Sequence, residues 1–66
     1  MRVTFYCDIV NLNGEVIEKD FDFDACTFDS QDDLDRYMRQ NRYAEGEICG
    51  YWGNDKGILT DVVIED

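Results

Sequence analysis

Residues 2–24, RVTFYCDIVNLNGEVIEKDFDFD, decide the fold, because they read as two strands around one turn. Arg2 to Val10 alternates, with Val3, Phe5, Cys7 and Ile9 on one face and Thr4, Tyr6, Asp8 and Val10 on the other, the period of a strand. Two hairpins compete at Asn11-Leu12-Asn13-Gly14. A two-residue Asn13-Gly14 turn sets Phe5 against Asp22 and Val3 against Asp24, which buries aspartates. A three-residue loop, with Asn11 opening a type I turn and Gly14 in the left-handed bulge position, sets Ile9 against Ile17, Phe5 against Phe21 and Val3 against Phe23. A one-residue slip turns every side chain to the other face, so burial selects the bulged loop. The second strand, Glu15 to Asp24, then sends Ile17, Lys19, Phe21 and Phe23 inward. Glu18, Asp20, Asp22 and Asp24 face outward, a charged row suited to an edge strand.

Further along, Ser30-Gln31-Asp32-Asp33 reads as a helix start with Ser30 or Asp29 as N-cap and acids in the first turn. Leu34, Tyr37, Met38 and Asn41 share one helical face, and Arg36, Arg39 and Arg42 load the far half, so a helix is predicted over Gln31 to Arg42. Asp32 to Arg36 and Asp35 to Arg39 have the spacing of helical ion pairs, worth about 0.3 kcal/mol each. A third strand is expected over Glu47 to Trp52 and a fourth over Ile58 to Ile64. Asn54-Asp55-Lys56-Gly57 repeats the first turn's spacing, which pairs Ile48 with Ile64, Gly50 with Val62 and Trp52 with Thr60.

Two hairpins around one helix give an α+β fold, ββαββ, with a four-stranded mixed sheet of order 2-1-4-3 and the helix packed on one face. The first and fourth strands, the most apolar, are expected at the centre and parallel, joined through the helix crossover. The expected core is Val3, Phe5, Ile9, Phe21, Phe23, Leu34, Tyr37, Met38, Trp52, Val62 and Ile64. The opposite face should hold Tyr6, Val10, Val16, Cys49, Tyr51, Leu59 and Val63 with Asp61. The layout resembles the immunoglobulin-binding B domain of protein G, a β-grasp-like unit. The matching pieces are Asn13-Gly14, the helix end from Tyr37 to Asn41, and Gly46-Glu47 leading to Tyr51-Trp52. The likeness implies fold alone, because an acidic segment replaces that family's Thr- and Ala-rich connection.

That segment, Asp20 to Asp35, is DFDFDACTFDSQDDLD: seven of its sixteen residues are aspartate and none is basic, so it carries −7 of the chain's formal −10. With 66 residues, 44% apolar and nine of them aromatic, the chain suits one folded domain of residues 1–66, not a disordered acidic tail. No apolar run is long enough to span a bilayer, and MRVTFYCDIV lacks the three-part layout of a secretion signal, so a cytoplasmic location is expected. Three widely spaced cysteines, Cys7, Cys26 and Cys49, and no histidine argue for small buried hydrophobes over a metal or disulfide framework. No cofactor is implied.

Without histidine there is no Ser-His or Cys-His nucleophile, and Ser30, the only serine, serves as a cap, so an enzyme is not expected. Asp20-x-Asp22-x-Asp24 matches the first half of a calcium-binding EF-hand loop, but Ala25 stands in place of the turn glycine and Gln31 in place of the bidentate glutamate. Direct nucleic-acid binding is opposed by the charge. An acidic surface binds a basic one. Side chains two apart on a strand stand about 6.7 Å apart, of the order of successive phosphates. Asp20, Asp22 and Asp24, continued by Asp29, Asp32, Asp33 and Asp35, are thus the candidate partner-binding residues, a phosphate-like ladder for a basic nucleic-acid-binding protein or complex. The competing reading makes the chain a structural or homodimeric module whose interface is the sheet face with Tyr6, Tyr51, Leu59 and Val63. In size, charge and compactness the chain looks like the small inhibitors that phages and mobile elements direct against host defences, anti-CRISPR and anti-restriction nucleic-acid mimics among them. That resemblance implies a nucleic-acid mimic in the host cytoplasm.

Overall fold

The computed structural model describes residues 1–65. The elements are β1 (Arg2–Val10), β2 (Val16–Thr27), α1 (Gln31–Asn41), β3 (Ile48–Trp52) and β4 (Asp55–Glu65). The strands form one sheet of order β2-β1-β4-β3, the order that the two hairpins imply. The direction of the central pair differs from the expectation. β1 and β4 are antiparallel, as are the two hairpins, so the sheet is wholly antiparallel and not mixed. The reason lies in lengths. An 11-residue helix rises about 16 Å, whereas the 12 residues of β2 run about 40 Å. The chain therefore leaves α1 part-way along the sheet. β3 continues in the direction of β1, and β4 returns antiparallel. The likeness to the protein G B domain ends at the order of elements. No helix is long and apolar enough to cross a membrane among the described residues.

The first turn forms as the bulged loop. Gly14 N–H donates to Asn11 O at 3.0 Å, Asn11 N–H donates to Glu15 O at 2.9 Å, and Gly14 sits at φ 83. Val10 opposes Val16. Beyond that pair the uniform register is lost, because β2 carries three bulges: Ile9 opposes Glu18, Cys7 opposes Phe21 and Phe5 opposes Asp24, not Ile17 and Phe21 as expected. Each bulge adds a residue to β2 and reverses the parity of the residues beyond it. Phe21 and Phe23 remain on the helix side and Asp24 is turned there too. Ile17 is instead 54% exposed and Lys19 is exposed, a correction to their inward placement.

The second turn is also corrected. It is a two-residue Gly53-Asn54 loop with Trp52 opposite Asp55, so Ile48 opposes Ile58 and Gly50 opposes Gly57. Gly57 is not a turn residue. A Cβ on it would lie 2.5 Å from a Trp52 ring carbon and 3.1 Å from Cys7 Sγ. Glycine is there because the indole lies flat against the strand.

Val3, Phe5, Leu34 and Leu59 form the buried cluster, with Phe23, Phe28, Tyr37, Met38, Tyr43, Cys49 and Val62 packed against it. Leu59, expected on the outer face, opposes Cys7 and is 1% exposed, and Cys49 also lies on the helix side. Of the expected core, Ile64 and Trp52 remain substantially exposed at the sheet margins. Ser30 caps α1 by accepting Asp33 N–H at 3.3 Å, and Arg42 closes it in left-handed backbone at φ 57. The expected i,i+4 ion pairs are replaced by other contacts: Arg36 reaches Asp33 at 3.5 Å, and Asp35 accepts from Gln31 at 3.0 Å.

Candidate acidic interface and its neighbours

The seven aspartates do not stand in one row. Asp22 opposes Tyr6 on the face away from the helix, whereas Asp24 opposes Phe5 on the helix side. Asp20 occupies a bulge at φ 53, and its N–H donates to Asp8 Oδ1 at 3.2 Å. A short polar side chain tolerates that left-handed conformation better than most. Asp29, Asp32, Asp33 and Asp35 gather at the start of α1, beyond the end of β2 where Phe28 N–H donates to Met1 O at 2.8 Å. Asp22 and Thr27 are five residues apart, about 17 Å of strand, so the acids fall into a strand group and a helix group. Asp20, Asp22, Asp29, Asp32 and Asp35 are exposed and make no ion pair among the described residues.

Asp24 has an internal role. Tyr37 donates a short hydrogen bond to its Oδ2, and the Tyr43 hydroxyl donates to the same oxygen at 3.2 Å. Cys26 Sγ lies 3.7 Å from Asp24 Oδ1 and 3.4 Å from the Tyr37 phenol oxygen. The carboxylate accepting its proton holds the Tyr37 phenol well above the usual tyrosine range, with Cys26 and burial adding to the effect. The Tyr43 phenol is pushed up first by burial and then by Asp24. One carboxylate thus ties β2 to α1 and to the segment after it. Nothing in the sequence pattern singles out this cluster, although a half-buried tyrosine hydroxyl demands an acceptor.

The Cys7 and Cys49 thiols are poor nucleophiles. Burial, reinforced by Cys49, pushes the Cys7 thiol up to about 12, and burial also raises Cys49, whose Sγ lies 3.5 Å from Gly57 O. Such groups stay protonated at neutral pH. Among the described residues, no three acidic or cysteine side chains converge as metal ligands would.

On the uncovered face Tyr6 stands between Asp22 of β2 and Asp61 of β4, and Asp61 Oδ1 accepts Val62 N–H at 2.8 Å. Val10 stands between Val16 and Lys56, with Tyr51 beyond, and Val63 opposes Thr4. Tyr51 is 70% exposed and Val16 47%. Of the residues expected on this face, Tyr6, Val10, Val16, Tyr51, Asp61 and Val63 are there, and Cys49 and Leu59 are not. Compared with family models, curated proteins and solved structures, the chain matches none.

Proposed function

We propose that the chain is a non-enzymatic, acidic protein-binding inhibitor that docks on a basic nucleic-acid-binding surface of a partner protein. The observation that carries this reading is the set of five exposed aspartates, Asp20, Asp22, Asp29, Asp32 and Asp35, left without ion pairs among the described residues in a chain of formal charge −10. Crowded like charges oppose folding in a domain of small stability, and a basic partner relieves that repulsion while gaining steered, fast association. The partner's own nucleic acid is then displaced by competition. The two acidic groups, about 17 Å apart along the strand, are two points of contact in place of a ladder.

The test captures the partner from host lysate and asks whether the chain displaces a fluorescent DNA or RNA from it. The variant replaces the five exposed aspartates with Asn and keeps Asp24, which holds the tyrosines, and Asp33, which pairs with Arg36. It should displace the nucleic acid at least about tenfold less effectively at moderate salt. Equal potency of the folded variant overturns the reading.

A second reading is favoured by Tyr51 and Val16, exposed on the face without a helix. Here the chain associates through that face with a second copy. Sedimentation showing a dimer that persists at high salt and is lost in Tyr51→Ser supports this reading, and a monomer at all concentrations removes it.

A further inference from the structure

An open groove of about 470 Å³ lies where α1 ends beside the start of β3, lined by Met38, Arg39, Arg42, Tyr43, Ala44, Glu47 and Ile48. We propose that it binds a small aromatic monocarboxylate, with Arg39 and Arg42 holding the carboxylate and Met38, Tyr43 and Ile48 forming the apolar bed.

The volume falls within the range of small-molecule sites, which are apolar with a few charged groups that fix orientation. Met38 supplies a polarizable thioether, which makes favourable contacts with aromatic rings. The charge is equally specific. In a chain with six basic residues against sixteen acids, Arg39 and Arg42 make no ion pair among the described residues, whereas Arg36 is paired with Asp33. Both line the same groove, and a guanidinium grips a carboxylate with two parallel hydrogen bonds. The backbone adds a third indication. Arg42 closes the helix at φ 57, its N–H shared between Arg39 O and Met38 O, in a conformation for which glycine is the unstrained choice. A role as counter-charge to the negative helix end is already met by Arg39 in the last turn. The strain at Arg42 is accounted for when its side chain serves the groove. Glu47 on the same wall repels a second negative charge, which selects a monoanion over a phosphate.

The experiment is an amide NMR titration with three probes: naphthoate, the neutral naphthylmethanol and the doubly charged naphthyl phosphate. Naphthoate should saturate at roughly millimolar concentration or below and shift the amides of Met38, Tyr43, Ala44 and Ile48, with naphthylmethanol about tenfold weaker. Arg42→Gly separates binding from folding. It should raise the unfolding midpoint by relieving the left-handed strain, yet bind naphthoate at least about fivefold more weakly. Glu47→Gln should improve naphthyl phosphate more than naphthoate. The proposal is overturned by acid and alcohol binding equally, by shifts centred elsewhere, by unchanged affinity in Arg42→Gly, or by no saturation.

Discussion

Val3 and Phe5 at one end of β1 are as deeply buried as Cys7 and Ile9 at the other, yet the two halves are covered by different means. Over the first lies α1, whose Leu34 completes a cluster with Val3, Phe5 and Leu59. The second extends past the reach of the helix. There Trp52 lies across Gly57, the partner of Ile9, with Phe21 edge-on to its ring at 5.7 Å. A short helix therefore does not limit the length of the sheet it serves, provided a strand is thinned to glycine where one large ring must lie flat.

The largest effect is expected where that covering is removed. Trp52→Ala should cost about 2–3 kcal/mol, the lower part of the range for aromatic truncation because the ring is part-exposed. Gly57→Ala should cost about 2 kcal/mol by forcing the indole off the strand. In the Trp52→Ala background Gly57→Ala should cost less, with only the Cys7 Sγ contact at 3.1 Å remaining, a coupling of about 1–2 kcal/mol in a double-mutant cycle by denaturant unfolding. Hydrogen exchange sharpens the contrast: in Trp52→Ala the amides of Cys7 and Ile9 should lose more protection than those of Val3 and Phe5. Uniform loss would make the two halves one cooperative unit.

Alkaline pH should divide the halves in order. Cys7 belongs to the tryptophan half, Cys49 lies between it and the helix cluster, Tyr37 and Tyr43 belong to the helix half, and all four titrate higher when folded than when unfolded. A group whose folded pKa is raised contributes stability that is whole below its unfolded pKa and is lost as pH climbs toward the folded value. The thiol contribution should therefore decline from about pH 8.5, the ordinary thiol value, as pH rises toward the Cys7 value of about 12. The tyrosine contribution declines in turn from about pH 10 upward. Cys7→Ala should flatten the first part of the curve measured by thermal unfolding. Asp24→Asn should lower the pH at which phenolate absorbance appears, and unchanged absorbance would mean that Asp24 does not hold the phenols.

The smallest effect concerns a residue outside both halves. Asp20→Gly relieves left-handed backbone at φ 53 and should stabilise by about 0.5–1 kcal/mol, provided the Asp8 carboxylate keeps its bond to the same N–H. A loss of stability in its urea midpoint would show that the aspartate side chain matters more than its strained backbone.

Local chemistry was legible in the sequence where one segment decides it. Asn11 and Gly14 set the first turn, Ser30 caps the helix, and the alternation of β1 selects its buried face. Features set by distant partners were not. The direction of β4 depends on how far eleven helical residues climb against twelve extended ones. Gly57 resembles a turn glycine until the indole above it is known. Phe-Asp-Phe-Asp alternates as well for a regular strand as for one with bulges, so the inward turn of Asp24 emerges only when Tyr37 and Tyr43 are in place to donate to it. Among the candidate site residues, the exposed aspartates were legible as charge, and their division into two groups was not.

Bulges interrupt both outer strands of the sheet. β2 has three against β1, and β3 has one between Ile48 and Gly50. A margin whose amides and carbonyls fall out of step is a poor template for another strand. The bulged lengths of β2 and β3 therefore discourage strand-by-strand growth, whereas β4 beyond Leu59 is paired with β1 alone. Recruitment by backbone ladders, the route to fibrils and to strand-donating partners alike, is discouraged along those two bulged strands.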